Sequence, residues 1–234
     1  MPAELVGLDV DAHDPELLAA FWSGVLGRTV ADDGVTLLTD DDLQLWIRFL
    51  PTDVPKTQPN QIHFDLTSSS ADDQRATVDR VLGLGGRHLD IGQGDVDHVV
   101  MADPEGNELC VIEPGNGFLA DTGTIGALSS DGSQAVGYFW SEALDWPLVW
   151  DQDEETAIQS PRGGSKISWG GPPLRVKVGR NRLRLALSPG DVDQHAAVDR
   201  LLALGASRVD TGRQDADLVA LADPDGNEFC VMSR

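Results

Sequence analysis

In the stretch "QIHFDLT", strict alternation puts His63, Asp65 and Thr67 on one face of a strand and Ile62, Phe64 and Leu66 on the other. A histidine with a carboxylate two positions away on the same face suits a general base and the acid that orients it. Such a base is worth ~10²–10⁴ in rate where a substrate proton is within reach. The pair equally suits a buried polar network whose members only satisfy one another. The same alternation in "LQLWIRF" groups Gln44, Trp46 and Arg48 on a polar face. The only cysteines, Cys110 and Cys230, stand in the apolar stretches "NELCVIE" and "NEFCVM" and read as reduced core thiols rather than a disulfide.

Those two stretches are copies of one another. Sliding the chain by 120 positions lays "VDRVLGLGG" on "VDRLLALGA" and "DPEGNELCV" on "DPDGNEFCV", with 19 identities over the 34 residues from Val78 to Val111. Upstream the register continues with small loop shifts, matching Lys56 with Lys177, Asn60 with Asn181 and "FWS" at Phe21 with "FWS" at Phe139. The chain therefore reads as two homologous halves, 1–117 and 118–234, joined by the Pro- and Gly-bearing "EPGNGFLADTG".

Within each half one plan runs twice. "ELVGLDV" alternates as a strand, and "DPELLAAFWSGVLG" opens with Asp14 as N-cap and Pro15 at the first helical position and stops at Gly27. Short strands follow at "VTLLT" and "LQLWIRF". The order then restarts with the strand holding His63, a helix capped near Ser70 and stopped at Gly85, and strands at "RHLDI", "DHVVMA" and "NELCVIE". The turns "DPEG" and "DPDG" place Asp, Pro and Gly where a type I turn followed by a left-handed residue wants them. The expected fold is α+β, with four βαβββ modules.

Charge narrows the partners. Thirty-nine acidic against 17 basic residues give a net −22, which repels nucleic acid and anionic membrane surfaces. No apolar run approaches a membrane span, and "MPAELVGLDV" lacks the regions of a signal peptide, so a cytoplasmic protein is expected.

These features together resemble the vicinal oxygen chelate superfamily: glyoxalase I, bleomycin-resistance proteins, extradiol dioxygenases and the tandem glyoxalase-like proteins of actinobacteria. The residues that carry the resemblance are "DPELLAAFWSGVLG", "PNQIHFDL" and "ADPEGNELCVI" with their second copies "FWSEALDW", "RNRLRLAL" and "ADPDGNEFCVM". The resemblance implies two glyoxalase-like domains, 1–117 and 118–234, whose paired modules curve around cavities. In its enzymes a divalent metal is held there by His, Gln or Glu from four strands.

Carried over position by position, His63 matches the family histidine, but the glutamate seven residues after the turn Asp is Cys110 here and Cys230 in the second copy. Arg184 and Ala186 replace His63 and Asp65 in the second half. The resemblance then implies neither a catalytic metal nor another cofactor, with His63, Asp65 and Cys110 as the one alternative three-ligand set. The first cavity is expected to be lined by Asp9, Gln44, Trp46, Arg48, His63, Asp65 and Cys110, and the second by Trp146, Trp150, Lys166, Trp169 and Arg184. An aromatic wall with a few polar groups is the make-up of a small-molecule site. Two functions follow: metal-free binding or sequestration of a small molecule, or a lyase or isomerase step on a carbonyl compound with His63 as base and Asp65 or Asp9 orienting it. The Trp-rich "EALDWPLVW" also suits a contact between the halves or between chains of a homodimer.

Overall fold

The computed structural model describes residues 2–39, 41, 43–92, 94–210 and 217–233. The first module comprises β1 (Glu4–Ala12), α1 (Pro15–Leu26), β2 (Thr36–Leu37) and β3 (Trp46–Pro51). The second comprises β4 (Ile62–Leu66), α2 (Ala71–Gly83), β5 (Arg87–His88), β6 (Val99–Ala102) and β7 (Glu108–Val111). A 3-10 helix, Gly117–Leu119, leads into the third module, β8 (Ile125–Ser130), α3 (Gln134–Leu144), β9 (Leu148–Gln152), β10 (Glu155–Gln159) and β11 (Lys166–Trp169). The fourth comprises β12 (Leu183–Ser188), α4 (Gln194–Ala203), β13 (Ser207–Arg208), β14 (Leu218–Ala222) and β15 (Glu228–Met232).

The helices start and stop for local reasons. Asp14, Ser70, Ser133 and Asp193 each accept a backbone N–H of the first turn, and Gly27 closes α1 with φ of 70°. In both repeated turns the leading Asp accepts from the backbone two and four residues on, and Gly106 and Gly226 take φ of 86° and 83°. The second oxygen of each Asp reaches the other module of its half. Trp22 Nε1 of α1 donates to Asp103 Oδ2 and Trp140 Nε1 of α3 donates to Asp223 Oδ2, each at 3.2 Å. Asn107 and Asn227 add side-chain bonds to the same carboxylates. Burial raises both carboxyls above the usual range, Asp223 to about 6.

The strands are shared out differently from the helices. One sheet has the order β13-β14-β15-β12-β1-β3-β2 and the other β5-β6-β7-β4-β8-β11-β10-β9. Each sheet thus draws one module from each half, the first with the fourth and the second with the third. The seams are antiparallel: β1 lies against β12 with Asp9 opposite Arg184, and β4 lies against β8 with His63 opposite Ser129. The cavity expected within residues 1–117 is therefore divided. Asp9, Trp46 and Arg48 belong to one sheet, and His63, Asp65 and Cys110 to the other. Homologous modules carry equivalent strand edges, so backbone hydrogen bonding is satisfied as well by a module from the opposite half as by the sequential neighbour.

This arrangement makes each half depend on the other. Expressed alone, residues 1–117 or 118–234 would leave long, flat strand edges at both seams unpaired. Neither half is expected to give a monomer with a cooperative melt, whereas co-expressed halves should copurify as a 1:1 complex. Analytical ultracentrifugation and calorimetry of the separate halves check this, and a folded monomeric half would contradict the cross-half sheets.

Candidate functional site

The concave face of the first sheet is filled by its own side chains. Arg48 grips the buried carboxylate of Asp9 through Nε and Nη2, at 2.9 and 3.2 Å, and its guanidinium lies 5.2 Å from the centroid of the Trp46 ring. The indole lies on Gly7, where a Cβ would stand 2.1 Å from a ring carbon. Arg184, also buried, donates to Asp11 Oδ1 at 2.7 Å and to the carbonyl of Asn181. Cys230 Sγ sits 3.9 Å from Asp9 Oδ2, and burial with that carboxylate pushes the thiol up to about 12. These are fork-shaped, mutually satisfied ion pairs of the kind that hold a sheet together.

The second sheet carries at the matching register a set of smaller groups. His63 takes the place of Arg184, Ser129 that of Asp9, Ser168 that of Arg48, and Lys166 that of Trp46. Asp65 accepts a short hydrogen bond from the Ser129 hydroxyl, and its other oxygen lies 3.4 Å from His63 Nε2. Ser129 Oγ continues to Ser168 Oγ at 3.2 Å. Cys110 is paired across the backbone with Asp65 and packs with Val100, Ile112, Leu119 and Ala127. Burial by itself would lower the His63 imidazole, but the carboxylate of Asp65 and the sulfur of Cys110 outweigh it and push the group up to about 10. The contact with Asp65 thus favours the protonated imidazole.

The linker between the halves caps part of this face. Lys166 Nζ donates to the carbonyl of Phe118 and lies 4.8 Å from the centroid of its ring, while Leu119 packs over Gly126. Burial lowers the Lys166 ammonium, opposed by Asp121. Beyond this cap a cleft of about 270 Å³, open to solvent, is lined by Phe118, Trp150, Glu155, Thr156, Ala157, Ser168, Trp169 and Gly170. Trp150 is 40% exposed on the edge strand β9, so its ring is available as a wall.

One residue expected to touch a ligand lies elsewhere. Gln44 precedes β3 and donates to Asp41 Oδ2, in a recess with Leu5, Leu128 and Trp146. Trp169, 2% exposed and packed in the core close to Gly132 and Val136, also borders the cleft beside Ser168 and Gly170. Alternation from Lys166 and Ser168 places it on the helix side. Arg184 and Trp46 are built into the filled sheet. Ser129, Ser168 and Phe118 were not singled out from the sequence; the offset of 120 that lays Ser129 on Asp9 is the signal that reaches the first of them.

Comparison with known proteins fits this geometry. The model of the glyoxalase-like domain matches the chain twice, at residues 7–112 and 127–232. The chain belongs to the glyoxalase-like domain family. Among solved structures it is similar to glyoxalase I from Zea mays, with 14% identity, a TM-score of 0.66, and coverage of 99% of this chain and 92% of that one. A mutant of the same maize enzyme gives 15% identity, a TM-score of 0.67, and coverage of 99% and 94%. A candidate dioxygenase from Bacillus subtilis gives 14%, 0.59, 99% and 85%. These likenesses show the fold. Among curated proteins no sequence match was found.

The metal centre associated with this fold takes His, Gln or Glu from four strands, and neither face of this glyoxalase-like chain assembles that set. On the first sheet the positions hold two guanidinium groups, already paired to Asp9 and Asp11. On the second, His63 is joined by Ser129 and Ser168 from β8 and β11 and by Cys110 in place of a carboxylate.

Two outcomes are expected. Arg48→Ala leaves the buried Asp9 carboxylate without its main partner and should lower unfolding stability by about 2–4 kcal/mol in urea titrations. For His63, the raised imidazole means that stability from its contact with Asp65 is fully present below pH 6.5 and is lost as pH rises towards 10. In an NMR titration the His63 ring protons should therefore show no midpoint between pH 5 and 8.

Proposed function

We propose that the protein binds a small, largely apolar or aromatic molecule in the cleft of the second sheet, as a sequestering rather than a catalytic member of its family. The observation that carries this reading is the asymmetry of the two faces: one is closed by Trp46 and its ion pairs, while the other opens between Phe118 and Trp150. An aromatic-walled cleft with a few polar groups is the usual form of a small-molecule site. The Ser168–Ser129–Asp65 chain supplies a hydroxyl at the cleft floor for a ligand's carbonyl or hydroxyl group. No metal is needed for this mode of recognition.

The enzymatic reading needs His63 to accept a proton. A histidine whose protonated form is favoured by Asp65 is a weaker proton acceptor at neutral pH than a free imidazole. It suits charge stabilisation or structural pairing instead. A cytoplasmic location and a small-molecule partner accompany this reading.

A thermal-shift screen of aromatic and heteroaromatic carbonyl compounds, followed by calorimetry on the hits, tests the proposal. Trp150→Ala should weaken binding about 10–100-fold, the worth of one buried aromatic anchor. His63→Ala should weaken it modestly, with no turnover of the bound compound lost. Hits that bind Trp150→Ala and wild type equally, or a compound consumed only when His63 is present, would overturn it.

A further inference from the structure

We propose that a second cleft, sharing no residue with the aromatic one, binds the carboxylate of a small organic acid at Arg182. Two crossings between modules form it: residues 52–61, between β3 and β4, and residues 170–182, between β11 and β12. They meet at one end of the β1–β12 seam, where the Asp11 N–H donates to the carbonyl of Arg182 at 2.8 Å. Gln58 Nε2 of the first crossing donates to the carbonyl of Val178 in the second at 2.9 Å. The space between them is about 170 Å³ and is lined by both crossings together with Asp11.

Duplication anchors both walls in the same way. Lys56 and Lys177 donate to Oε1 of Glu108 and Glu228, each at 2.6 Å, and the backbone N–H groups of Asn60 and Asn181 donate to Oε2 of the same carboxylates, each at 3.1 Å. Arg182 is where the copies differ, since its counterpart in the first crossing is Gln61. Its side chain is 9% exposed. Nε and Nη2 donate to the carbonyl of Asp11 at 3.2 and 3.0 Å, and Nη2 donates also to Glu105 Oε2 at 2.8 Å. Among the described residues Nη1, although buried, has no hydrogen-bond partner. A buried charged donor without an acceptor is costly, and a ligand oxygen removes that cost.

The chain as a whole is acidic, so the attraction has to be local. No Asp or Glu occurs between Glu155 and Asp191, a stretch that includes Arg175, Lys177, Arg180, Arg182 and Arg184. The carboxylates that border the cleft or touch its lining are each held by a cation: Asp11 by Arg184, Glu105 by Arg182 and Glu108 by Lys56. Arg180 brings an exposed guanidinium to the lining. Thr52 Oγ1 accepts from the Val54 N–H and so keeps its own hydrogen to donate. Guanidinium groups with neighbouring donors are the usual grip on an oxyanion. Val54, Pro55, Pro59 and Val178 give the rest of the wall an apolar surface, in a space smaller than the ~300 Å³ at which drug-sized pockets begin. That combination suits a carboxylate on a short apolar chain better than a phosphate, whose second charge would meet Asp11 and Glu105.

The test is a titration of the full ¹⁵N-labelled chain with propionate, in a buffer free of other carboxylates and of phosphate, followed through the Arg182 Nε–H and Gln58 side-chain resonances. Both should shift saturably with propionate and stay put with propionamide, its uncharged counterpart. Inorganic phosphate should compete only weakly. R182K should weaken propionate binding at least about tenfold and R180Q about threefold, while R162Q, which removes a charge outside the cleft, should leave it unchanged. Circular dichroism checks the fold of each variant, and should R182K fail to fold, the contrast between R180Q and R162Q decides. Absence of a saturable shift, an equal response to propionamide, tighter binding of phosphate than of propionate, or equal effects of R180Q and R162Q would overturn the proposal. W150A should bind propionate as wild type does, so failure of this cleft and failure of the aromatic one are told apart.

Discussion

The structure depends on two antiparallel seams, β1 against β12 and β4 against β8, where strands from opposite halves exchange backbone hydrogen bonds. Each seam sits mid-sheet and sets which side chains face each other across a concave surface. The helical side obeys the opposite logic. Trp22 with Asp103, and Trp140 with Asp223, tie together the two modules of a single half. A buried indole N–H and a buried carboxylate are each costly without a partner, so these links resist separation. The two halves are thus bound within themselves by side chains and to each other by backbone. The main apolar core draws on both halves, from Ala3 to Val231, with a smaller cluster around Val100, Cys110 and Leu119 beside it.

Duplication gave two concave faces of one geometry, and the side chains then made them different. On the first face long cations meet carboxylates, and their reach closes the space: Arg48 to Asp9, Arg184 to Asp11, with Trp46 flat on Gly7. On the second, short serines stand where the first has Asp9 and Arg48, and the room left over is shared between the linker and the cleft. The −22 charge of the chain bears on which molecules approach, favouring neutral or cationic ones. Among the described residues no helix is long and apolar enough to cross a membrane.

Much of this was readable beforehand. The repeat at 120 residues, the capped helices and the DPEG and DPDG turns are local features, and the structure keeps them. Period-two alternation correctly put His63 and Asp65 on one face, because a strand has only two faces. The pairing of modules was not readable, since four related modules offer interchangeable edges and only the assembled chain selects among them. That is why Asp9, Trp46 and Arg48 parted from His63, Asp65 and Cys110. Trp169 borders the expected cavity while its ring packs into the core, a division that residue type alone does not foretell. The Pro and Gly residues of the linker mark a join between the halves, but its covering of the second face depends on tertiary contacts of Phe118 and Leu119 that no local pattern encodes.

Whether the second sheet is open for binding and the first closed can be read from amide chemical-shift mapping of a fragment library on ¹⁵N-labelled protein. Perturbations should gather on Phe118, Ser129, Trp150 and Ser168 and leave Asp9, Trp46, Arg48 and Arg184 unmoved. Fragments that instead cluster on Trp46 and Arg184 would contradict it.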